Sequence, residues 1–311
     1  MALLCPVQEK KLQLIYIPFL KVFLSFIALY TFLHWYFIIH LEMFALSEDT
    51  VNAWIPVILS FSVVLIFLRP KARLLALKDR LPDAVIILML LTILVPTIFL
   101  QFYIVTATGK LTVLNDITEK PLTKSTKYFI VKNYFINKKH TCFRPLVNIG
   151  GKGNRDYNMY LYCALPILKN EIDTNLSVCE NWYCIKYYER ISNRRYESIS
   201  SKLNSEMKKQ KFDKFIKRSF EKFDSLDINN FVYLNRIGQV FDKNGYSQAI
   251  ENNERFVALR PTILLPINEP FERRNGNKLY WFLGTLILLN SSLILFIIRH
   301  DLKEDVTDFS D

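Results

Sequence analysis

The chain has 311 residues, of which 51% are hydrophobic and 14% aromatic, and its mean hydropathy is +0.14. These values disfavour a wholly water-soluble protein and favour segregated membrane spans. The formal net charge of +11 is concentrated in residues 110–278, where 30 basic and 18 acidic side chains give +12. A surface rich in Lys and Arg favours anionic partners, although solubility alone explains the same excess equally well.

Three long apolar segments crowd into residues 1–106, and a fourth stands alone near the carboxyl end. Each approaches the ~20 residues that cross a hydrocarbon core about 30 Å thick. Helices are the expected form, because lipid offers no hydrogen-bond partners to an open backbone. The predicted transmembrane helices are 22–40, 52–68, 84–105 and 279–298.

The short loops predict an orientation. Residues 41–53 contain no Lys or Arg, whereas residues 69–83 contain five. The positive-inside rule then places both termini, including the acidic tail 299–311, in the cytoplasm. The central domain becomes extracytoplasmic, although the basic residues just before the fourth span, Arg273, Arg274 and Lys278, oppose this orientation.

Residues 107–278 are long enough for one compact core and predict an α+β domain. Gly150–Asn154 has the composition of a hairpin turn, and Ser200–Phe223 has helical periodicity. The fold class is therefore a membrane protein with four transmembrane α-helices, three N-terminal and one C-terminal, and an inserted α+β soluble domain. The predicted strands are Thr126–Lys138, Leu146–Ile149, Met159–Leu168, Trp182–Ile191 and Arg255–Pro266.

The predicted helix in the second half of this domain carries an apolar stripe, mostly of phenylalanine, beside many cations. Two interpretations compete. The helix either lies on an anionic surface, or, as we favour, packs its stripe on the sheet with its charges facing water. The cations that would contact an anionic surface are Lys208, Lys209, Lys211, Lys214, Lys217 and Arg218.

Four cysteines fall in the same domain. An even number in an oxidising compartment permits two disulfides with three alternative pairings, while unpaired, buried thiols are an equally good interpretation. The four residues are Cys142, Cys163, Cys179 and Cys184.

No catalytic, cofactor-binding or metal-binding motif is present. The chain lacks a nucleophile elbow, an H-E-x-x-H helix, a P-loop, a dinucleotide fingerprint and a C-x-x-C pair. Polar residues inside the predicted spans are the remaining candidates for a functional role. Gln101 and Asn290 are interpreted as hydrogen-bonding between spans, and His34 as a histidine packed among aromatic side chains or at the interface rather than a pH sensor.

The chain also resembles the amino-terminal extension of certain rhomboid-family membrane proteins of Bacteroidetes-type bacteria. The resemblance rests on YIPFL and YTFLHWYFIIH within 16–40, LRPKARLLALK at 68–78, TATGKLTVLNDITE at 106–119 and TKSTKYFIVKNYFINKKH at 123–140. In that family a six-helix core carries a serine and a histidine within the membrane. Because neither that core nor its serine motif occurs here, the resemblance implies no catalytic residue. It implies a truncated or accessory region, with its soluble domain in the bacterial periplasm.

Together these features predict a non-enzymatic, multi-pass protein of the bacterial inner membrane. Its periplasmic domain would bind another membrane or envelope protein, or an anionic lipid or polysaccharide, and nucleic acid is not favoured. Two alternatives stay open: a rhomboid-related intramembrane hydrolase, and a small channel or immunity-type protein acting through its spans.

Overall fold

A computed structural model describes residues 6–41, 43, 47–77, 81–119, 126–150, 156–175, 177–192, 201–238 and 240–303. The chain divides into a helical unit, residues 1–109 with 272–311, and an α+β unit, residues 110–271. The helices are α1 (Pro6–His40), α2 (Thr50–Ala72), α3 (Leu81–Ala107), α4 (Ser201–Asp224), α5 (Phe241–Glu251) and α6 (Lys278–Arg299). The strands are β1 (Lys110–Asp116), β2 (Thr126–Asn133), β3 (Phe135–Ile136), β4 (Cys142–Gly150), β5 (Asp156–Leu168), β6 (Asn181–Ser192), β7 (Tyr233–Arg236) and β8 (Thr262–Ile267).

In the helical unit, α1, α2, α3 and α6 are long and apolar enough to cross a membrane, by length and composition. Their facing residues form one core and recur at four-residue intervals, which place them on one side of each helix. Side chains on the opposite sides, such as those of Leu29, Ile58 and Leu288, are apolar and exposed. The core residues include Phe19 and Phe23 of α1, Val64 and Leu68 of α2, Val85, Met89 and Ile93 of α3, and Leu293 and Ile297 of α6.

Helix α1 is longer than the predicted span 22–40, because it begins at Pro6. Proline normally interrupts a helix by removing a backbone donor. Here Pro18 stands at the start of the regular segment Ile17–Leu33, directly after a wider π-helical turn at Leu12–Tyr16. The looser turn accommodates the ring, so the helix continues through Pro18.

The α+β unit is built on a mixed sheet in the order β1-β2-β7-β8-β6-β5, and both β3 and β4 pair with the far side of β5. The pairs β1–β2 and β6–β8 are parallel, and the others are antiparallel. Such a sheet agrees with the predicted α+β class.

Each face of the sheet is covered by a helix. Residues of β5 alternate between the two faces, as strand geometry requires. Met159, Leu161 and Cys163 join the core under α4, whereas Tyr162 and Ala164 join the core under α5. Because both faces are covered, all residues from Leu161 to Leu168 are buried.

The apolar stripe of α4 packs on the sheet, with Phe215 and Phe223 buried in the core. This packing confirms the interpretation favoured from its sequence. Three elements were not predicted, namely β1, β7 and α5, and only the second half of Arg255–Pro266 is a strand. The predicted hairpin turn falls largely on residues 151–154, outside the described residues, although its flanking strands β4 and β5 are antiparallel. The tail beyond residue 303 also lies outside them.

Candidate functional site

One open groove of about 620 Å³ in the α+β unit brings together three residue types found in cysteine nucleophile sites. Its walls are the start of β4 with His140 and Cys142, and the turn 252–255 with Asn253 and Arg255. The sheet positions Cys142 opposite Ala164 of β5.

The hydrogen bonds of this groove identify a structural contact rather than an activated thiol. Asn253 Nδ2 donates to the His140 carbonyl at 3.2 Å and lies 2.6 Å from Cys142 Sγ. Asn253 Oδ1 accepts from the backbone N–H groups of Arg255 and Phe256 at 2.8 and 2.7 Å. The amide therefore ties the turn to β4. The His140 ring packs edge-on against Phe256, with ring centroids 5.7 Å apart.

Burial raises the pKa of the Cys142 thiol, which is the wrong direction for a nucleophile, since the thiolate is the reactive form. No hydrogen bond joins the His140 ring to Cys142 in the described part of the chain. This groove therefore does not assemble a nucleophile with its base.

The four cysteines of the α+β unit are free and buried. Cys142 and Cys184 both stand opposite Ala164 on one face of the sheet, two strands apart, while the adjacent Cys163 points to the other face. Two inter-strand steps place the backbones of Cys142 and Cys184 about 9.6 Å apart, beyond the reach of a disulfide. The four thiols are therefore unpaired in this structure, which is one of the two alternatives that the sequence left open.

Across the described ranges, no group of three or more His, Cys, Asp or Glu side chains is placed to hold a metal ion.

The helical unit contains a buried polar network between α1 and α3. His34 Nδ1 donates to Gln101 Oε1 at 2.6 Å, and Gln101 Nε2 donates to Thr31 Oγ1 at 3.0 Å. His34 and Gln101 are 4% and 0% exposed. The network confirms that Gln101 hydrogen-bonds between helices, and it places His34 against a polar partner as well as the Tyr30 ring, 6.3 Å away.

Other polar groups also link or line these helices. The Tyr16 hydroxyl of α1 donates to Asn290 Oδ1 of α6 at 3.3 Å, which confirms the predicted role of Asn290. The Tyr30 hydroxyl donates to the Val51 carbonyl at 2.5 Å. The side-chain oxygens of Asn52 and Ser60 are buried without a hydrogen-bond partner among the described residues. Polar groups buried in an apolar helix bundle commonly mark functional positions.

The cations of α4 divide into engaged and free groups. Lys208 lies over the Tyr157 ring at 5.9 Å, and Arg218 forms an ion pair of 2.8 Å with Glu189. The other four of the six cations predicted to contact an anionic surface are exposed, and in the described part of the chain they pair with no acidic side chain. They are Lys209, Lys211, Lys214 and Lys217, which we call the lysine face.

A second polar cluster, beneath α5, was not anticipated. The Tyr162 hydroxyl donates to Asp242 Oδ1 at 2.9 Å, and Lys186 forms an ion pair with the same carboxylate. Burial is the main reason why the pKa of Tyr162 is raised. These residues come from β5, β6 and α5 and share no spacing, so no sequence pattern indicated the cluster.

The fold defines a class of protein: a unit of four long apolar helices into which a mixed-sheet α+β unit is inserted between the third and the fourth. Comparison with protein-family models, curated proteins and solved structures gives no match for this chain. The resemblance to rhomboid amino-terminal extensions therefore stays a prediction.

Proposed function

We propose that this protein is a non-enzymatic, multi-pass protein of a bacterial inner membrane whose periplasmic α+β unit binds an acidic partner in the envelope. The observation that carries the proposal is the lysine face. Lys209, Lys211, Lys214 and Lys217 are exposed on a helix whose apolar stripe is fixed to the sheet by Phe215 and Phe223.

The shape of α4 supports binding by this face. Because the helix is anchored along its apolar stripe, the spacing of its lysines is set by a rigid element rather than by a loop. Unpaired cations attract an anionic surface without first having to break internal ion pairs. Complementary charge chiefly increases the association rate and the selectivity for acidic partners.

The helical unit supports membrane insertion. Its outward side chains are apolar, with Leu29 61%, Ile66 66% and Leu288 65% exposed. Soluble helices normally direct polar side chains outward, so these surfaces fit an apolar solvent. The charges of the loops 41–53 and 69–83 support the proposed orientation.

Among acidic partners we favour another envelope protein. The resemblance to rhomboid extensions supports this choice, since an accessory region would act beside a membrane-embedded protein. A more specific form of the proposal is that the α+β unit recruits an acidic protein for such a neighbour.

The test uses the full-length protein in nanodiscs of neutral lipid, with poly-glutamate as the acidic polypeptide probe. An exposed ion pair contributes roughly 0.2–1 kcal/mol, so replacing the four lysines of the lysine face with Gln should weaken binding at least about fourfold. The matched control replaces Lys110, Lys132, Lys139 and Lys243 with Gln, which changes the net charge equally at other positions.

If both variants lost the same affinity for poly-glutamate, binding would depend on net charge alone, and the proposed role of the lysine face would be wrong. Two further probes separate the sources of negative charge: vesicles containing anionic lipid, and a sulphated polysaccharide. Selective binding of either, without binding of poly-glutamate, would replace the protein partner with that class.

A further inference from the structure

The carboxyl end of α6 is tied to the loop that follows α2. The Ala76 N–H donates to the Asp301 carbonyl at 2.8 Å, and Leu75 and Leu302 form an isolated antiparallel bridge. The side chains of these two leucines are 2% and 7% exposed and belong to the core of the helical unit. The segment that follows α6 is therefore held against this loop, at one end of the helical unit.

Lys11 of α1 secures the same segment. Its Nζ donates to Asp301 Oδ1 at 3.2 Å and to the Ile298 carbonyl at 3.3 Å, and its side chain is only 4% exposed. A buried cation is costly without a partner, so the pair with Asp301 fixes where this segment lies. Beyond the pair, the Lys303 N–H donates to the Leu74 carbonyl at 3.0 Å. The chain therefore leaves this contact directly beside the loop.

The loop carries cations that have no ionic partner. Residues 69–83, which we call the basic loop, contain five basic and two acidic side chains, a net charge of +3. Arg69 and Arg73 are exposed and Lys71 is half-buried, and within the described residues none of the three pairs with an acidic side chain. Cations held this close together repel one another and favour an anionic occupant.

The next segment of the same chain has the complementary charge. Residues 304–311, which we call the acidic segment, lie outside the described residues, and their sequence EDVTDFSD contains four acidic side chains and no basic one. Eight residues extend over at most about 26–29 Å. Arg69 is five residues from Leu74 and therefore at most about 18 Å away from it. The described cations of the basic loop are thus within reach of the acidic segment.

Tethering favours this segment over a free acidic ligand. A ligand joined to its site by a short linker has an effective concentration in the millimolar range, and each exposed ion pair adds a small further stabilisation. Anionic lipid headgroups are the competing occupant, because cations beside a membrane span attract them. In a bilayer of neutral lipid the acidic segment has no such competitor.

We propose that the acidic segment binds the basic loop of the same chain and neutralises it, forming an electrostatic strap over this end of the helical unit. The bridge between Leu75 and Leu302 positions the strap, and anionic lipid displaces it by competing for Arg69, Lys71 and Arg73. The inference does not depend on the ligand of the α+β unit or on the side of the membrane that carries the strap.

Disulfide formation between two engineered cysteines tests the strap. Ala76→Cys in the basic loop and Ser310→Cys in the acidic segment leave the charges of both unchanged, and Ala76 is exposed. Cys5→Ser removes the one native thiol outside the α+β unit, whose own four thiols are buried. The full-length protein is placed in nanodiscs of phosphatidylcholine, and the rate of cross-linking is measured at a fixed concentration of oxidant.

Replacing the four acidic residues of the segment with their amides should slow cross-linking at least about fourfold, the combined effect of several exposed ion pairs. The matched control makes the same change in net charge at exposed positions of the α+β unit and should keep the parent rate. It replaces Glu171, Glu251, Glu254 and Glu269 with Gln.

The partner of the acidic segment is identified by a second variant, Lys71→Gln/Arg73→Gln, which should also slow cross-linking. Combining it with the amide segment should add little further loss, because both changes remove the same contact. Raising the ionic strength from about 50 to about 500 mM should bring the parent rate towards that of the amide variant. Increasing fractions of phosphatidylglycerol should do the same.

An amide segment that cross-linked as fast as the parent would reject the strap. An equal loss in the matched control would also reject it, since the rate would then follow net charge rather than this contact. If phosphatidylglycerol left the difference between the parent and the amide variant unchanged, displacement by lipid would be wrong. Thermal midpoints equal to that of the parent verify that each variant is folded.

Discussion

Gly245 lies in the middle of α5 with its Cα directly against the ring of Tyr162, so that a Cβ at position 245 would overlap that ring. The ring is also held by the hydrogen bond from its hydroxyl to Asp242 Oδ1, which lies about one turn earlier on the same helix. Tyr246 packs edge-on against the same ring, with centroids 5.0 Å apart. Close approach of helix and sheet at this point therefore requires glycine, although glycine is a poor helix former.

Substituting Gly245 with Ala should destabilise the α+β unit. Alanine improves helix propensity by up to about 1 kcal/mol, but overpacking against a fixed ring costs about 1–3 kcal/mol, and the overlap should dominate. The free energy of unfolding, measured with denaturant on the full-length protein, checks this. The control is Gly284→Ala, where an added Cβ meets no atom within 4 Å; an equal effect at both sites would contradict the packing argument.

The pair His34 and Gln101 should be energetically coupled. Gln101→Leu leaves the buried imidazole N–H of His34 without an acceptor, at a cost of about 1–3 kcal/mol. Adding His34→Phe removes the stranded donor, so the double variant should lose less than the sum of the single losses. Thermal unfolding in detergent is measured for the parent, for each single variant and for the double variant. Additive losses would show that the hydrogen bond does not stabilise the unit.

The cysteines should be unreactive in the folded protein. Burial raises the pKa of Cys163 to about 12 and is the main reason why that of Cys179 rises to about 11. Few thiolates are then available at neutral pH. In a Cys5→Ser background we expect no labelling by a maleimide in the native state and four labelled thiols after unfolding without reductant. Labelling that required a reductant would instead demonstrate disulfides.

Topology can be tested with engineered cysteines, because the native thiols of the α+β unit are buried. Ile172 is 79% exposed in a short turn of that unit. In intact spheroplasts, Ile172→Cys should react with an impermeant maleimide, whereas Arg73→Cys should react only after lysis. The reverse pattern would overturn the proposed orientation.

Acid should weaken one contact at the end of β1. Asp116 Oδ1 accepts hydrogen bonds from Thr118, and Oδ2 lies 3.0 Å from Lys169 Nζ. The pKa of Asp116 is lowered to about 2. The largest cause is the hydrogen bond from the Thr118 side chain, and the next is the one from Lys169. A lowered folded-state pKa stabilises the fold above the unfolded value near 4, and this contribution is lost as the pH falls towards 2.

Thermal midpoints of the parent and Asp116→Asn should therefore differ above pH 4 and converge towards pH 2. A difference that stayed constant between pH 5 and pH 2 would contradict the lowered pKa. Lys169→Met should reduce the difference without removing it, because the hydrogen bonds from Thr118 remain.

Local properties of the sequence determined the long apolar helices and the packing of α4. Hydropathy over about 20 residues and the spacing of Phe212, Phe215 and Phe223 depend only on near neighbours, so both could be predicted. The same holds for the long strands β5 and β6, which together contain seven aromatic residues. Weaker elements such as β7, with four residues, take their conformation from the neighbours with which they pair.

Tertiary structure decided which residues meet. His34 and Gln101 are hydrogen-bonded although they lie 67 positions apart in the sequence. Lys11 donates a hydrogen bond to Asp301, which lies 290 positions away. The register of β4, β5 and β6 alone sets Cys163 on the opposite face from Cys142 and Cys184. Such contacts depend on register and helix packing, which the whole chain fixes cooperatively, and a shift of one residue would send every strand side chain to the other face.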